Sequence, residues 1–133
     1  MARSWQDKHD NHRHPTKVEV LEKPYAGLLP GQTIAIATPA QISAYFRSVP
    51  RGETRSMAQL RAHLARLQGA DGACPMTTAI FSRIAAENAY ERLLAGERHV
   101  APFWRVIDPG SPLARKLACG MQFIRDRRAE EGC

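Results

Sequence analysis

The chain has 133 residues, of which 44% are hydrophobic, so it is long enough for one core and too short for a two-domain enzyme. Its 19 Lys and Arg against 13 Asp and Glu give a net charge of +6, which favours nucleic acid first and an anionic membrane second. The chain shows no membrane span and no secretory signal, and its three cysteines are widely spaced, so we expect a cytoplasmic protein, nucleoid-associated if bacterial.

Residues 1–32 are polar, charged and interrupted by three prolines, which predicts an extended, partly disordered N-terminal arm. Within the arm, Val18–Leu21 is a candidate short strand and Trp5 a candidate anchor. The cluster His9, His12 and His14 has two interpretations, a metal site or a solvated tail. We favour the tail, because metal ligands need a fixed scaffold to converge. The sequence therefore predicts no metal site and no cofactor.

The remainder, residues 33–133, is predicted to form one domain that begins with a β-leaning run at Thr33–Ala37. Thr38-Pro39-Ala40-Gln41 then combines a cap, a first-turn proline and a capping box, which predicts the start of a helix. Apolar residues follow at helical spacing and form one face. They are Ile42, Tyr45, Phe46 and Val49.

Two further helices are predicted, one after the other. Ser56-Met57-Ala58-Gln59 is a second capping box, and the buried stripe that follows it is predicted at Met57, Leu60, Leu64 and Leu67. After Gly69 and a turn, a third helix begins near Pro75 and stops at Gly96. Its apolar face is predicted at Ile80, Phe81, Ile84, Leu93 and Leu94, and the alanines at 79, 85, 86 and 89 are expected to allow close packing. Two capped helices joined by a tight turn are the layout of a helix-turn-helix, whose later helix enters a DNA groove.

The segment that follows, Phe103–Ile107, is rich in β-branched and aromatic residues, and Asp108-Pro109-Gly110 is a turn signal. A strand, a turn and a return after a helix-turn-helix form a wing. The predicted fold class is therefore mainly α, a winged helix-turn-helix with a short β wing.

Three segments resemble the methylated-DNA (alkylguanine) alkyltransferase family. "ISAYFRSVPRGETRSMAQLRAHL" is similar to the start of its DNA-binding domain, and "PFWRVIDPGSPL" is similar to its Pro-Cys-His-Arg-Val-Ile active-site segment. The closing "RRAEEG" is similar to its final helix. The resemblance covers about Thr38 to Gly132 and implies a divergent alkyltransferase-like protein, with residues 33–133 as its winged-helix DNA-binding domain.

The departures from the family pattern define the expected chemistry. The family's nucleophilic cysteine falls on Phe103 and its activating histidine on Trp104, and neither side chain can accept an alkyl group or act as a base. We therefore expect no alkyl transfer at this segment. The family's nucleotide-flipping Tyr falls on Met57, and its intercalating Arg has Arg83 as the nearest counterpart.

The predicted sites follow from the helix starts and from the resemblance. DNA contacts are expected from Arg55, Ser56, Arg61, Thr77, Thr78 and Arg83. Phe103 and Trp104 have two interpretations, core residues or the floor of a lesion pocket that stacks on an altered base. Pro102 and Arg105 are expected to be structural residues of the active-site segment.

The leading hypothesis is a non-enzymatic DNA-binding protein in DNA repair or damage recognition. Its expected partner is double-stranded DNA, alkylated or mismatched, together with a repair protein, and not a membrane. The alternative is a protein-interaction adaptor that retains the fold but not the DNA site. A third reading is an enzyme that uses Cys74, since a helix N-terminus lowers a thiol's pKa. A buried turn residue is the preferred interpretation of Cys74.

Overall fold

The computed structural model describes residues 4–133, and it is mainly helical with one small sheet. Its elements in chain order are α1 (Trp5–Asp10), β1 (Lys17–Val20), β2 (Thr33–Ile36), α2 (Pro39–Ser48), α3 (Met57–Gln68), β3 (Gly72–Ala73), α4 (Pro75–Leu94), a 3₁₀ turn (Phe103–Arg105), α5 (Pro112–Lys116) and α6 (Gly120–Glu130). Between residues 4 and 133, no helix has both the length and the apolar character needed to cross a bilayer.

The three strands form one sheet in the order β1-β2-β3. β1 runs antiparallel to β2, with Lys17 opposite Ile36, whereas β2 and β3 are parallel, with Ile34 opposite Gly72. Parallel neighbours need a long crossover, and here α2 and α3 supply it. A side chain at Gly72 would lie 2.9 Å from the Cδ1 atom of Leu28, so glycine allows the close approach of this loop.

Both predicted capping boxes are confirmed. Thr38 and Gln41 cap α2 reciprocally, and Ser56 and Gln59 cap α3 in the same way. The predicted α2 face is buried in the core. On α3 the predicted stripe is right at Leu60 and Leu64 and wrong at Leu67, which is exposed beyond the second turn.

Helix α4 forms where the third helix was predicted, but a different face of it is buried. The core contacts come from small residues, Ala85, Ala86 and Ala89, which let α2 pack closely against α4. The predicted face included Ile80 and Leu94, and both of these are exposed. The close packing expected at the alanines is confirmed, because Ala85, Ala86 and Ala89 are buried. The apolar face was misplaced because periodicity gives isoleucine and leucine more weight than alanine.

The N-terminal segment differs from the extended arm predicted for residues 1–32. Trp5–Asp10 is a helix whose N-terminus is held by the Glu91 carboxylate of α4, which accepts from the amides of Trp5 and Gln6, each at 3.1 Å. At the other end, Arg92 pairs with Asp10 at 3.0 Å. These tertiary contacts add to a local cap, in which the Ser4 hydroxyl accepts from the Asp7 amide at 3.0 Å. The strand predicted near Val18 is present, and its pairing with β2 crosses the predicted boundary at residue 32.

The predicted β wing is wrong. Phe103–Arg105 is a 3₁₀ turn, and the expected return strand is helix α5, capped by the Ser111 hydroxyl. Aromatic residues favour strands because they fit a pleated, half-buried surface, but this turn packs against helices α2, α4 and α6. The rings of Phe103 and Trp104 pack into the helical core instead. The mainly α class is what the structure shows.

Candidate nucleic-acid interface

Helices α3 and α4 are joined by the six residues 69–74, and the start of α4 presents an outward apolar face. Met76 is 63% exposed and Ile80 is 50% exposed. The start of α4 is fixed to the sheet, because β3 directly precedes it and the Cys74 amide donates to the Ala35 carbonyl at 3.0 Å. The exposed turns of α4 are therefore held rigidly at the surface.

Beside this face lies a groove of about 420 Å³, here called the α4 groove. Its apolar walls include Trp5, Ile80, Ile84 and Leu113, and three cations border it: Lys8 of α1, Arg83 of α4 and Lys116 of α5. Two of these cations lie over the Trp5 ring, with Lys8 Nζ at 4.2 Å and Arg83 Cζ at 5.2 Å from its centroid. Trp5 thus anchors α1 and positions two positive charges beside α4.

The two threonines at the start of α4 direct their hydroxyls toward the Cys74 carbonyl. Thr78 is 2% exposed and its hydroxyl donates to the Cys74 carbonyl at 2.6 Å. Thr77 is half-buried, and its hydroxyl lies 3.5 Å from the same carbonyl. The prediction of a DNA contact at Thr78 is therefore wrong, because its side chain satisfies the first turn of the helix and has no path to solvent.

The six predicted DNA residues do not share one surface. Arg55 and Ser56 line a groove of about 560 Å³, the Ser56 groove, together with Met57, Val106 and Asp108. There Arg55 is engaged, since its Nη2 donates to Glu53 at 2.9 Å. Arg61 lies in a third groove, beside Arg66 and Asp71, whereas Arg83 borders the α4 groove.

The aromatic pair does not form the floor of a shared pocket. Phe103 is fully buried, stacks on Phe123 with a centroid distance of 5.9 Å, and lines none of the grooves described here. Trp104 is 5% exposed and meets Phe103 edge to face at 5.3 Å. Trp104 lines a separate groove of about 520 Å³, here called the arginine groove. The core interpretation therefore describes Phe103, and Trp104 combines core packing with a place in that groove.

Arg105 ties the 3₁₀ turn to two other parts of the chain. Its Nε and Nη2 donate to the two oxygens of Glu131 at 2.9 and 2.8 Å, and its Nη1 donates to the Val49 carbonyl at 2.8 Å. The Arg105 hydrogen bonds hold the pKa of the Glu131 carboxyl below its usual value, although burial opposes the shift. Pro102, also predicted to be structural, is buried directly before the turn. The final Glu-Gly segment thus closes onto the turn through this bidentate pair.

Cys74 precedes α4 and its thiol lies 3.7 Å from the Tyr25 hydroxyl. Partial burial raises the pKa of this thiol, but hydrogen bonds from Thr77, Tyr25 and the Met76 amide outweigh burial, so the net pKa is lowered. Burial raises the pKa of Cys119 to about 11, and the nearby Glu87 carboxylate adds to that shift.

This contrast predicts the order of thiol modification. In a Cys133→Ser background at pH 8, we expect iodoacetamide to alkylate Cys74 more than about tenfold faster than Cys119, because the thiolate is the reactive species. Peptide mass mapping over time measures both rates. Thr77→Val should slow the alkylation of Cys74 alone. Equal rates at the two thiols would contradict the assignment.

Two of the three cations beside α4 were missed by sequence reasoning, namely Lys8 and Lys116. They lie on α1 and α5, far from α4 along the chain, and no local pattern marks them. Within residues 4–133, no group of three or more His, Cys, Asp and Glu side chains could hold a metal ion. No family model, curated protein or solved structure matches the chain.

Proposed function

We propose that the chain is a non-enzymatic DNA-binding protein of the alkyltransferase-like type, acting in DNA repair or damage recognition in the cytoplasm. The observation that carries this proposal is the exposed first half of α4, rigidly held and bordered by Lys8, Arg83 and Lys116. A helix with small and apolar outward residues can enter a DNA groove while flanking cations contact phosphates. The +6 net charge supports the same partner.

The Ser56 groove supports the part of the proposal that concerns damaged bases. It lies at the start of α3, and Met57, which takes the family's Tyr position in the resemblance, is one of its walls. Its volume of about 560 Å³ is within the range of ligand pockets, so it can accommodate an altered base. This groove replaces the aromatic pair as the proposed lesion pocket.

The adaptor alternative has one observation in its favour. The walls of the α4 groove are mainly apolar, and Ile80 and Met76 are exposed beside it, as in sites that dock a protein segment. In that case the three cations would select an acidic partner, and binding to DNA would be weak and independent of the α4 face.

The test is binding to labelled duplex DNA, plain, alkylated and mismatched, at two salt concentrations. For the triple variant Lys8→Gln, Arg83→Gln, Lys116→Gln we expect at least about tenfold weaker binding. Its log-log salt slope should be shallower by about one unit for each lost phosphate contact. Thermal melts check that the loss of Arg83, which lies 3.7 Å from buried Glu87, leaves the fold intact.

The matched control is Lys17→Gln, Lys23→Gln, Arg66→Gln, which removes the same charge away from the α4 groove. The control should retain most of the parent's affinity. Equal losses in the two variants would show that only net charge matters. A parent protein that binds none of the three duplexes would refute DNA binding and favour the adaptor.

A further inference from the structure

The arginine groove has an unusual charge balance. Five arginines and one glutamate line it, which leaves four positive charges in excess. Arg47 lies in the last turn of α2 and Arg51 in the connection after it, whereas Arg98 follows α4. Arg105 belongs to the 3₁₀ turn and Arg127 to α6. Four separate parts of the fold therefore place their cations around one concavity of about 520 Å³.

These charges are not neutralised by the protein around them. The one carboxylate in the groove, Glu131, is 4% exposed and accepts from Arg105 with both of its oxygens. Across residues 4–133, the ion pairs that the structure shows do not include Arg47, Arg98 or Arg127. A cleft lined by charges of one sign concentrates the opposite charge, so this groove attracts anions.

One of these guanidinium groups is held in position. Arg127 Cζ lies 5.0 Å from the centroid of the Trp104 ring and 5.2 Å from that of Phe123. Cation–π contacts of this kind restrain the side chain while leaving its N–H groups available for a ligand. Because Trp104 itself is fixed in the core, Arg127 is a preorganised donor at the groove.

The indole Nε1 of Trp104 is buried and lies near the Glu131 carboxylate, whose pKa it helps to lower. This N–H therefore belongs to the Arg105–Glu131 cluster. The Trp104 ring, and not its N–H, serves the groove through the contact with Arg127.

We propose that the arginine groove is a second anion site that binds the phosphate groups of a nucleotide, either free or within a strand. Arg47, Arg98 and Arg127 carry three positive charges, more than the single negative charge of the one carboxylate in the groove. A planar guanidinium group can donate to two phosphate oxygens at once. The groove volume suits a ligand of nucleotide size. The groove shares no residue with the α4 groove or the Ser56 groove, so this site goes beyond the proposed DNA-binding face.

The test follows the indole N–H resonance of Trp104 by NMR in the full chain. The probes are inorganic tripolyphosphate, a nucleoside triphosphate and an eight-nucleotide oligothymidine, each titrated at constant ionic strength. We expect a saturable shift at Trp104 and a smaller one at Trp5. If the nucleoside triphosphate binds at least tenfold more tightly than the oligothymidine, the groove selects a free nucleotide. The reverse order would show that it selects a strand.

The variant Arg47→Gln, Arg98→Gln, Arg127→Gln should weaken binding at least tenfold, and Arg47→Gln alone should weaken it measurably without touching Trp104. The control Lys17→Gln, Lys23→Gln, Arg66→Gln should stay within twofold of the parent. The α4-groove variant should also bind the triphosphate as the parent does, which separates this site from the proposed function. An unshifted Trp104, equal losses in the control, or a polyglutamate peptide that competes equally well would each overturn the proposal.

Discussion

Replacing Phe103 by alanine is expected to lower the free energy of unfolding by about 3–5 kcal/mol. Phe103 is fully buried and contacts Trp104 and Phe123, so the substitution removes a ring and leaves a cavity among aromatic neighbours. Small domains are stable by only about 5–15 kcal/mol, so this single change approaches the limit of folding. Urea denaturation monitored by circular dichroism measures the effect.

The control for this substitution is Phe103→Leu, which keeps most of the apolar volume and should cost less than half as much. If Phe103→Ala instead left the stability unchanged and removed a preference for damaged DNA, the lesion-pocket interpretation would be right and the core interpretation wrong.

Removing the negative charge of Glu131 is the second change with a large expected effect. Glu131→Gln should lower the free energy of unfolding at neutral pH by about 3 kcal/mol, because it leaves the Arg105 guanidinium partly buried without its charged partner. The expected loss lies in the lower part of the range for a broken buried ion pair because the Arg105 side chain is 15% exposed. Glu130→Gln, which changes the exposed neighbour, is the matched control and should have little effect.

The pH dependence of this difference is a second readout. The pKa of Glu131 is lowered in the folded protein, chiefly by hydrogen bonds from Arg105. Its contribution to stability is therefore complete above the carboxyl pKa of the unfolded chain, about 4.3, and is lost as the pH falls through the lower folded value. The gap between the parent and Glu131→Gln should close in that window. If the difference in free energy of unfolding between the parent and Glu131→Gln stayed constant down to pH 3, the packing of the side chain, and not its charge, would be responsible for it.

The sequence allowed the helical part of the fold to be predicted because the signals there are local. Thr38 with Gln41, and Ser56 with Gln59, form hydrogen bonds with backbone groups within four residues. The residues of each sequence motif are therefore the ones that make the capping contacts in the structure. The face of α2 could be predicted for the same reason, since one side of a short helix meets the core.

Where the structure departs from the prediction, the deciding contacts lie far away in the chain. Nothing near Trp5 indicates that Glu91 will cap its helix from 86 residues away. The segment at Phe103 has the composition of a strand, but its neighbours in space are helices, so its rings fill the core from a 3₁₀ turn. Glu87 looks like a surface residue by type, yet it is buried and accepts from the amide of Ala118.

The candidate site was predictable in part. Arg83 was predicted through the resemblance, as the counterpart of the family's intercalating Arg, and it borders the α4 groove. Lys8 and Lys116 reach the same groove only through tertiary packing. The arginine groove could not be predicted, because Arg47, Arg98 and Arg127 lie in three separate segments of the chain with unrelated local patterns.

The attachment of α4 to the sheet has a kinetic consequence. Because the amide of Cys74 is bonded to Ala35 of β2, the first turns of α4 cannot swing outward without breaking the parallel pairing. A partner of α4 would then meet a surface already in its bound shape, and association would involve no ordering step. The association rate constant should thus decrease as ionic strength rises, through the charges that border α4. The observed association rate should rise with partner concentration without reaching a plateau set by a conformational step.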